Sequence, residues 1–201
     1  MSEMLKIENL SVSFEGLKAL DKVSLTISDD EIFGILGPNG AGKTTFFNAI
    51  TGFTKPTSGS VHFFGKDVTN LNTTEHCKCG MARTFQNIRV FSQMTVLENV
   101  LVGMHKTLKT NIFQIFLRTP AQRAEEKKAV EKAREILDFL EIGNVADEIS
   151  GSLPYGTQRK VEIARALASD PRMILLDEPT AGMNPQETVD LMNLIEGIRR
   201  R

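Results

Sequence analysis

Residues 153–184 read LPYGTQRKVEIARALASDPRMILLDEPTAGMN. Within them, residues 158–167 are helical by content, and an unbroken apolar run from Met173 to Leu176 ends on Asp177 and Glu178. A short apolar run bounded by polar residues reads as a strand buried on both faces, the kind that sits centrally in a parallel sheet. The C-terminal ends of such strands face the crevice where α/β sheets place their ligands. This stretch therefore predicts an α/β fold with two carboxylates at its ligand-binding edge. The helix before the strand opens on Leu153, Gly156, Thr157 and Gln158, a degenerate phosphate-sensing motif.

Upstream, Gly37-Pro38-Asn39-Gly40-Ala41-Gly42-Lys43-Thr44 fits the phosphate-loop pattern G-x-x-x-x-G-K-[ST]. The apolar run 32–36 predicts a strand before it, and residues 44–51 predict a helix after it, closed by Gly52. Strand, loop and helix are the context this motif requires. Its glycines let backbone amides turn inward around phosphate oxygens, and the helix N-terminus adds favourable potential. Lys43 is placed to neutralise charge between the outer two phosphates, Thr44 to offer its hydroxyl to Mg²⁺, and Thr45 belongs to the same nucleotide-binding segment. The expected ligands are ATP and Mg²⁺. Asp177 is then expected to hold the magnesium shell through water, and Glu178, pointing differently, to polarise the attacking water.

Residues 4–28 alternate apolar and polar side chains, as in Leu5, Ile7 and then Val23, Leu25, Ile27, which predicts an antiparallel sheet. A strand at 60–64 is expected to return to it. Residues 95–105 and 122–140 read as helices, the second with Val130, Ala133, Leu137 and Leu140 on one face, and a final helix follows Pro185. The expected organisation is a single domain, 1–201, with a helical subdomain inserted at about residues 88–152. Basic and acidic residues number 24 and 25, so composition gives no electrostatic case for nucleic acid. Cys77 and Cys79 lie too close for an ordinary disulfide and, with His76, fall short of the four ligands of a zinc site. No apolar run of bilayer length and no signal segment is evident, and the cysteine usage suits a reducing cytoplasm.

With these motifs in this order, residues 4–201 resemble the ATP-binding subunit of an ABC transporter. The resemblance implies a RecA-like P-loop NTPase core with an antiparallel β subdomain and an inserted helical subdomain, hydrolysing ATP to ADP and phosphate. It implies that Phe14 stacks on adenine and that Gln86 reaches magnesium and the attacking water while facing the membrane subunits. Leu153–Thr157 matches the signature that binds the γ-phosphate of ATP held by the opposite subunit, and residues 181–184 match the loop across the dimer seam. Implied partners are transmembrane permease subunits and a second ATP-binding subunit, identical or not, at the cytoplasmic face of the membrane. Residues 81–103, MARTFQNIRVFSQMTVLENVLVG, and 153–167 further resemble the ATP-binding subunits of branched-chain amino acid importers. Taken by residue type alone, Phe14 also suits a sheet core and Gln86 an ordinary surface. Ile112, Phe113 and Phe116 suit either a partner-facing patch or packing within the helical subdomain.

The sequence departs from the family pattern in places. Leu153-Pro154-Tyr155-Gly156 stands where Leu-Ser-Gly-Gly is usual, removing a hydroxyl and one amide donor. Gly156, Thr157 and Gln158 are then expected to hold the phosphate. Asn184 replaces an aspartate and Asp30 a turn glycine. The family's further strand and switch histidine, beyond the last helix, have no counterpart before Arg201. The expectation is an incomplete form that binds nucleotide and hydrolyses it weakly. Two other readings stay open: a non-transport ABC ATPase of translation or DNA repair, and a nucleotide-binding interaction module without efficient turnover.

Overall fold

In the computed structural model, which describes residues 3–104 and 120–200, the chain forms two compact units. One runs to Cys79 and takes up the chain again at Asp190; the other is Gly80–Val189.

The first unit is built on an antiparallel hairpin, β1 (Glu3–Phe14) and β2 (Leu17–Ser28), in a sheet ordered β2-β1-β3-β4 with β3 (Ser58–Phe63) and β4 (Lys66–Asp67). The strand expected at 60–64 does return to β1, pairing Ile7 with Val61 and Leu5 with Phe63. Along β1 the buried positions change parity, from Leu5 and Ile7 to Leu10 and Val12. Strict alternation would put the second pair on the wrong face. Asn9, at φ 50, absorbs the extra residue, and the β1–β2 register shifts between Ile7 and Leu10. This unit also holds α1 (Lys43–Ile50) and α2 (Thr73–Cys79).

One expectation fails here. Residues 32–36 form no strand: they pair with none of the described residues, and Ile32 and Leu36 are 51% and 97% exposed. An apolar run becomes a strand only where neighbouring strands take up its amide and carbonyl groups. Asp30, where a turn glycine is common, takes φ 63, a left-handed conformation that aspartate tolerates better than most residues.

In the second unit β5 (Met81–Arg83) and β6 (Met173–Leu175) pair in parallel, Arg83 beside Leu175. β5 was not expected. Among the described residues β6 is one of two strands rather than the centre of a wide sheet. The helices are α3 (Val96–Gly103), α4 (Pro120–Phe139), α5 (Tyr155–Ala168) and α6 (Pro185–Arg199), the last supplying residues to both units. On α4, Ala133 and Leu137 are fully buried, as is Leu140 just beyond it, but Val130 is only half-buried. A Cβ on Gly103 would collide with the carbonyl of Arg165, so glycine lets the α3 and α5 backbones approach. The Ile112, Phe113 and Phe116 cluster lies outside the described residues.

α3 starts in a reciprocal cap: Glu98 N–H donates to Thr95 Oγ1 at 3.2 Å, and Thr95 N–H donates to Glu98 Oε2 at 2.8 Å. Thr95→Ala should therefore lower stability by about 1 kcal/mol, read from the midpoint of urea unfolding. An unchanged midpoint would mean that tertiary packing alone sets the start of α3.

Candidate functional site

In the first unit the phosphate loop turns on two left-handed glycines, Gly40 at φ 84 and Gly42 at φ 87. Gly42 is also the N-cap of α1, and a Cβ there would lie 2.6 Å from the Ala19 carbonyl of β2. Both conformation and space therefore demand glycine. No side chain caps α1, and the first three amides of a helix have no partner within it, so Lys43, Thr44 and Thr45 present their N–H groups at its start. Lys43 Nζ donates to the carbonyls of Gly37 at 2.6 Å and Pro38 at 3.0 Å, and Ala41 N–H donates to Pro38 O. An ammonium has three donors, so one remains for an outside acceptor. The loop, Gly37, Pro38, Asn39, Gly40 and Ala41, is exposed. This is the donor set of a polyphosphate site, with no competing acidic side chain in the first turn of the helix. Phe14 ends β1 at the tip of the hairpin, 48% exposed and opposite Leu17. It is not a core residue, and its ring is available for stacking.

In the second unit β6 delivers two carboxylates with different surroundings. Asp177 is buried, its Oδ2 accepting from Arg83 at 3.0 Å, with both side chains under a tenth exposed. The strand pairing sets this contact, because Arg83 ends β5 beside Leu175. Glu178 is exposed, sits at φ 45, and accepts from Gln86 Nε2 at 2.8 Å through Oε2. With its nitrogen so engaged, Gln86 turns its amide oxygen to other partners. In the first unit the hydroxyl of Thr44, and in the second the amide oxygen of Gln86 and the carboxylate of Asp177, are each hard oxygen donors of the kind magnesium accepts.

The signature segment places buried Leu153 before α5, whose N-cap, Pro154, bonds no amide through its side chain. Gln158 is committed to its own turn, its amide N–H to Pro154 O at 3.0 Å and its Nε2 to Leu153 O at 2.8 Å. The donors at the helix start are therefore the N–H groups of Tyr155, Gly156 and Thr157. Tyr155 lies against residues 181–184: a Cβ on Gly182 would be 3.3 Å from its ring. Asn184, standing where aspartate is usual, caps α6, exchanging 2.9 Å hydrogen bonds with Glu187 in both directions. His76 is 2% exposed, burial pushes its imidazole below its ordinary pKa, and Cys77 and Cys79 form no disulfide. Among the described residues no group of three His, Cys, Asp or Glu side chains is placed to hold a metal.

Two residues the sequence reading passed over are central. Arg159 and Glu162, in helix α5, are 1% and 2% exposed and pair at 2.7 Å. Their signal was present: opposite charges at i and i+3, flanking Val161 and followed by Ile163 and Ala164.

The family model described as ABC transporter matches residues 20–181. The chain is 42% identical over 196 residues to the high-affinity branched-chain amino acid transport ATP-binding protein BraF of Pseudomonas aeruginosa, covering 98% of this chain and 77% of that protein. It is 41% identical over the same length and shares to the corresponding protein LivG of Escherichia coli. Among solved structures, a nucleotide-free ATP-binding cassette from an ABC transporter superposes with a TM-score of 0.84 at 38% identity, covering 99% of this chain and 78% of that one. The ADP conformation of another ABC transporter cassette gives 0.86 at 38% identity, covering 100% and 78%.

Proposed function

Since the chain belongs to the ABC transporter family of ATP-binding proteins, we propose that it is the energy-coupling ATPase subunit of an importer for branched-chain amino acids. The likeness to transport subunits along nearly its whole length carries the substrate class. The uncapped, glycine-turned start of α1 supports ATP as the energy source. Those relatives serve transport, which favours this reading over a role in translation or repair, and no helix of the described residues is long and apolar enough to cross a membrane. As a transport subunit of this kind, the chain would work peripherally, at the cytoplasmic face of permease subunits and paired with a second ATP-binding subunit.

In this reading Lys43 and the amides of Gly40, Gly42, Thr44 and Thr45 hold the phosphates, and Phe14 stacks on the base. Thr44, Gln86 and Asp177 are each proposed as magnesium ligands, and the ion would supply charge neutralisation at the outer phosphates. Glu178 takes a proton from the attacking water, and its hydrogen bond from Gln86 fixes the carboxylate for that task. The amides at the start of α5 meet the γ-phosphate of the ATP on the second subunit.

The test is binding of Mg-ATP to the chain by a fluorescent nucleotide analogue, together with phosphate release. Binding that Lys43→Ala abolishes, with hydrolysis above the no-protein background, is the expected result. Absence of binding by the parent would overturn the assignment, and equal binding by the lysine variant would displace the site from this loop.

A further inference from the structure

Arg159 donates all five of its N–H groups. Nε bonds the carbonyl of Pro179 at 3.2 Å, one terminal nitrogen bonds Phe85 O and Glu162 Oε2, and the other bonds the carbonyls of Asp177 at 2.8 Å and Glu178 at 3.0 Å. Three consecutive carbonyls thus converge on one guanidinium. A regular strand points successive carbonyls in opposite directions, so this convergence needs a sharp bend, and Glu178 supplies it at φ 45, a conformation that residues with a side chain seldom adopt. Glu162 works in the other direction. Its Oε1 takes long contacts, 3.4 Å each, from the amides of Phe85 and Arg89, which bracket Gln86. Gln86 in turn bonds Glu178.

These contacts close a ring: Arg159 to the Glu178 backbone, the Glu178 side chain to Gln86, the loop around Gln86 to Glu162, and Glu162 back to Arg159. One turn of α5 is its base, one turn after the amides of Gly156 and Thr157. An apolar pair of similar volume would serve the packing of a helix at least as well as a buried ion pair. What it would lack is a directional hold on two loops.

We propose that Arg159 and Glu162 are positioning residues for hydrolysis, which tie the orientation of the α5 N-terminus to the placement of Glu178 and of the loop bearing Gln86. Small displacements of a packed helix become discrete changes at its neighbours because interiors deform little. A contact at the start of α5 then reaches the water-activating carboxylate through one guanidinium rather than through a change at the phosphate loop. This rests on Glu178 being the activating group, as proposed above.

The experiment is a double-mutant cycle in the full chain. Arg159→Lys, Glu178→Gln and their combination are compared for affinity toward a fluorescent ATP analogue, single-turnover hydrolysis, and amide exchange at Phe85 and Arg89. Arg159→Lys keeps the charge but cannot reach five acceptors from one ammonium. It should slow hydrolysis about tenfold or more while affinity stays within about threefold, and most of that loss should vanish once Glu178 is already Gln. The two amides should exchange faster. An Arg159→Lys variant with parental hydrolysis, the same fold-loss in both backgrounds, or unchanged amide exchange would overturn the proposal. Parental hydrolysis by Glu178→Gln alone would instead remove the assignment of Glu178. Should Arg159→Lys not fold, Arg159→Met with Glu162→Leu takes its place and is judged by the same outcomes.

Discussion

Glu178→Gln should lower the hydrolysis rate by about a hundred- to ten-thousandfold, the range general base catalysis supplies, while leaving ATP affinity near its parental value. The substitution is nearly isosteric. The amide oxygen of glutamine can still accept from Gln86 Nε2, now at 2.8 Å, and the backbone carbonyl of residue 178 keeps its bond from Arg159. Only the capacity to take a proton is lost. Binding should persist because the groups proposed to hold phosphate, Lys43 and the amides at the start of α1, are untouched. Rapid-quench hydrolysis alongside equilibrium binding separates the two quantities, and a rate within about threefold of the parent would exclude Glu178 as the base.

Arg83→Ala should destabilise the chain by about 3–5 kcal/mol, because it strands the carboxylate of Asp177 in a site that is under a tenth exposed. The penalty comes from the carboxylate left behind and not from the value of the pair. Arg83→Ala with Asp177→Asn should therefore recover more than half of the loss in urea unfolding. The same logic reaches function. If Asp177 faces magnesium in the nucleotide complex, Mg-ATP supplies a substitute counter-charge and should raise the stability of Arg83→Ala more than that of the parent. Equal stabilisation of both would separate Asp177 from the magnesium site.

The phosphate loop was legible residue by residue. Its chemistry is backbone chemistry, written in closely spaced glycines and one lysine, and its conformation follows from what each residue allows: left-handed turns at Gly40 and Gly42, uncapped amides at Lys43, Thr44 and Thr45. The acidic pair after Leu176 was legible for a similar reason, since a strand's end fixes where the next two side chains emerge. The hairpin of β1 and β2 was visible as alternation, and the parity change at Asn9 left its mark as two successive polar residues, Glu8 and Asn9, between Ile7 and Leu10, which the alternation alone passes over.

Other features needed the fold. The run 32–36 has the composition of a strand, but composition cannot supply the neighbours that make one. Arg83 meets Asp177 across 94 positions, and Arg159 reaches Phe85 across 74. No local pattern encodes such pairings, since they depend on which strand lies beside β6 and on how α5 packs against its end. The burial of Arg159 and Glu162 made two ordinary-looking helix charges into a junction.

The amino-acid sequence by itself determined the proposed ligand chemistry, a glycine loop to hold a nucleotide and a carboxylate to activate water, because those proposals depend on residue types at short spacing. Only the tertiary structure decided how the carboxylate is held. Its neutral and charged partners come from distant segments, and their distances and burial, not their identities, set whether a charge is a surface ornament or a hinge of the site.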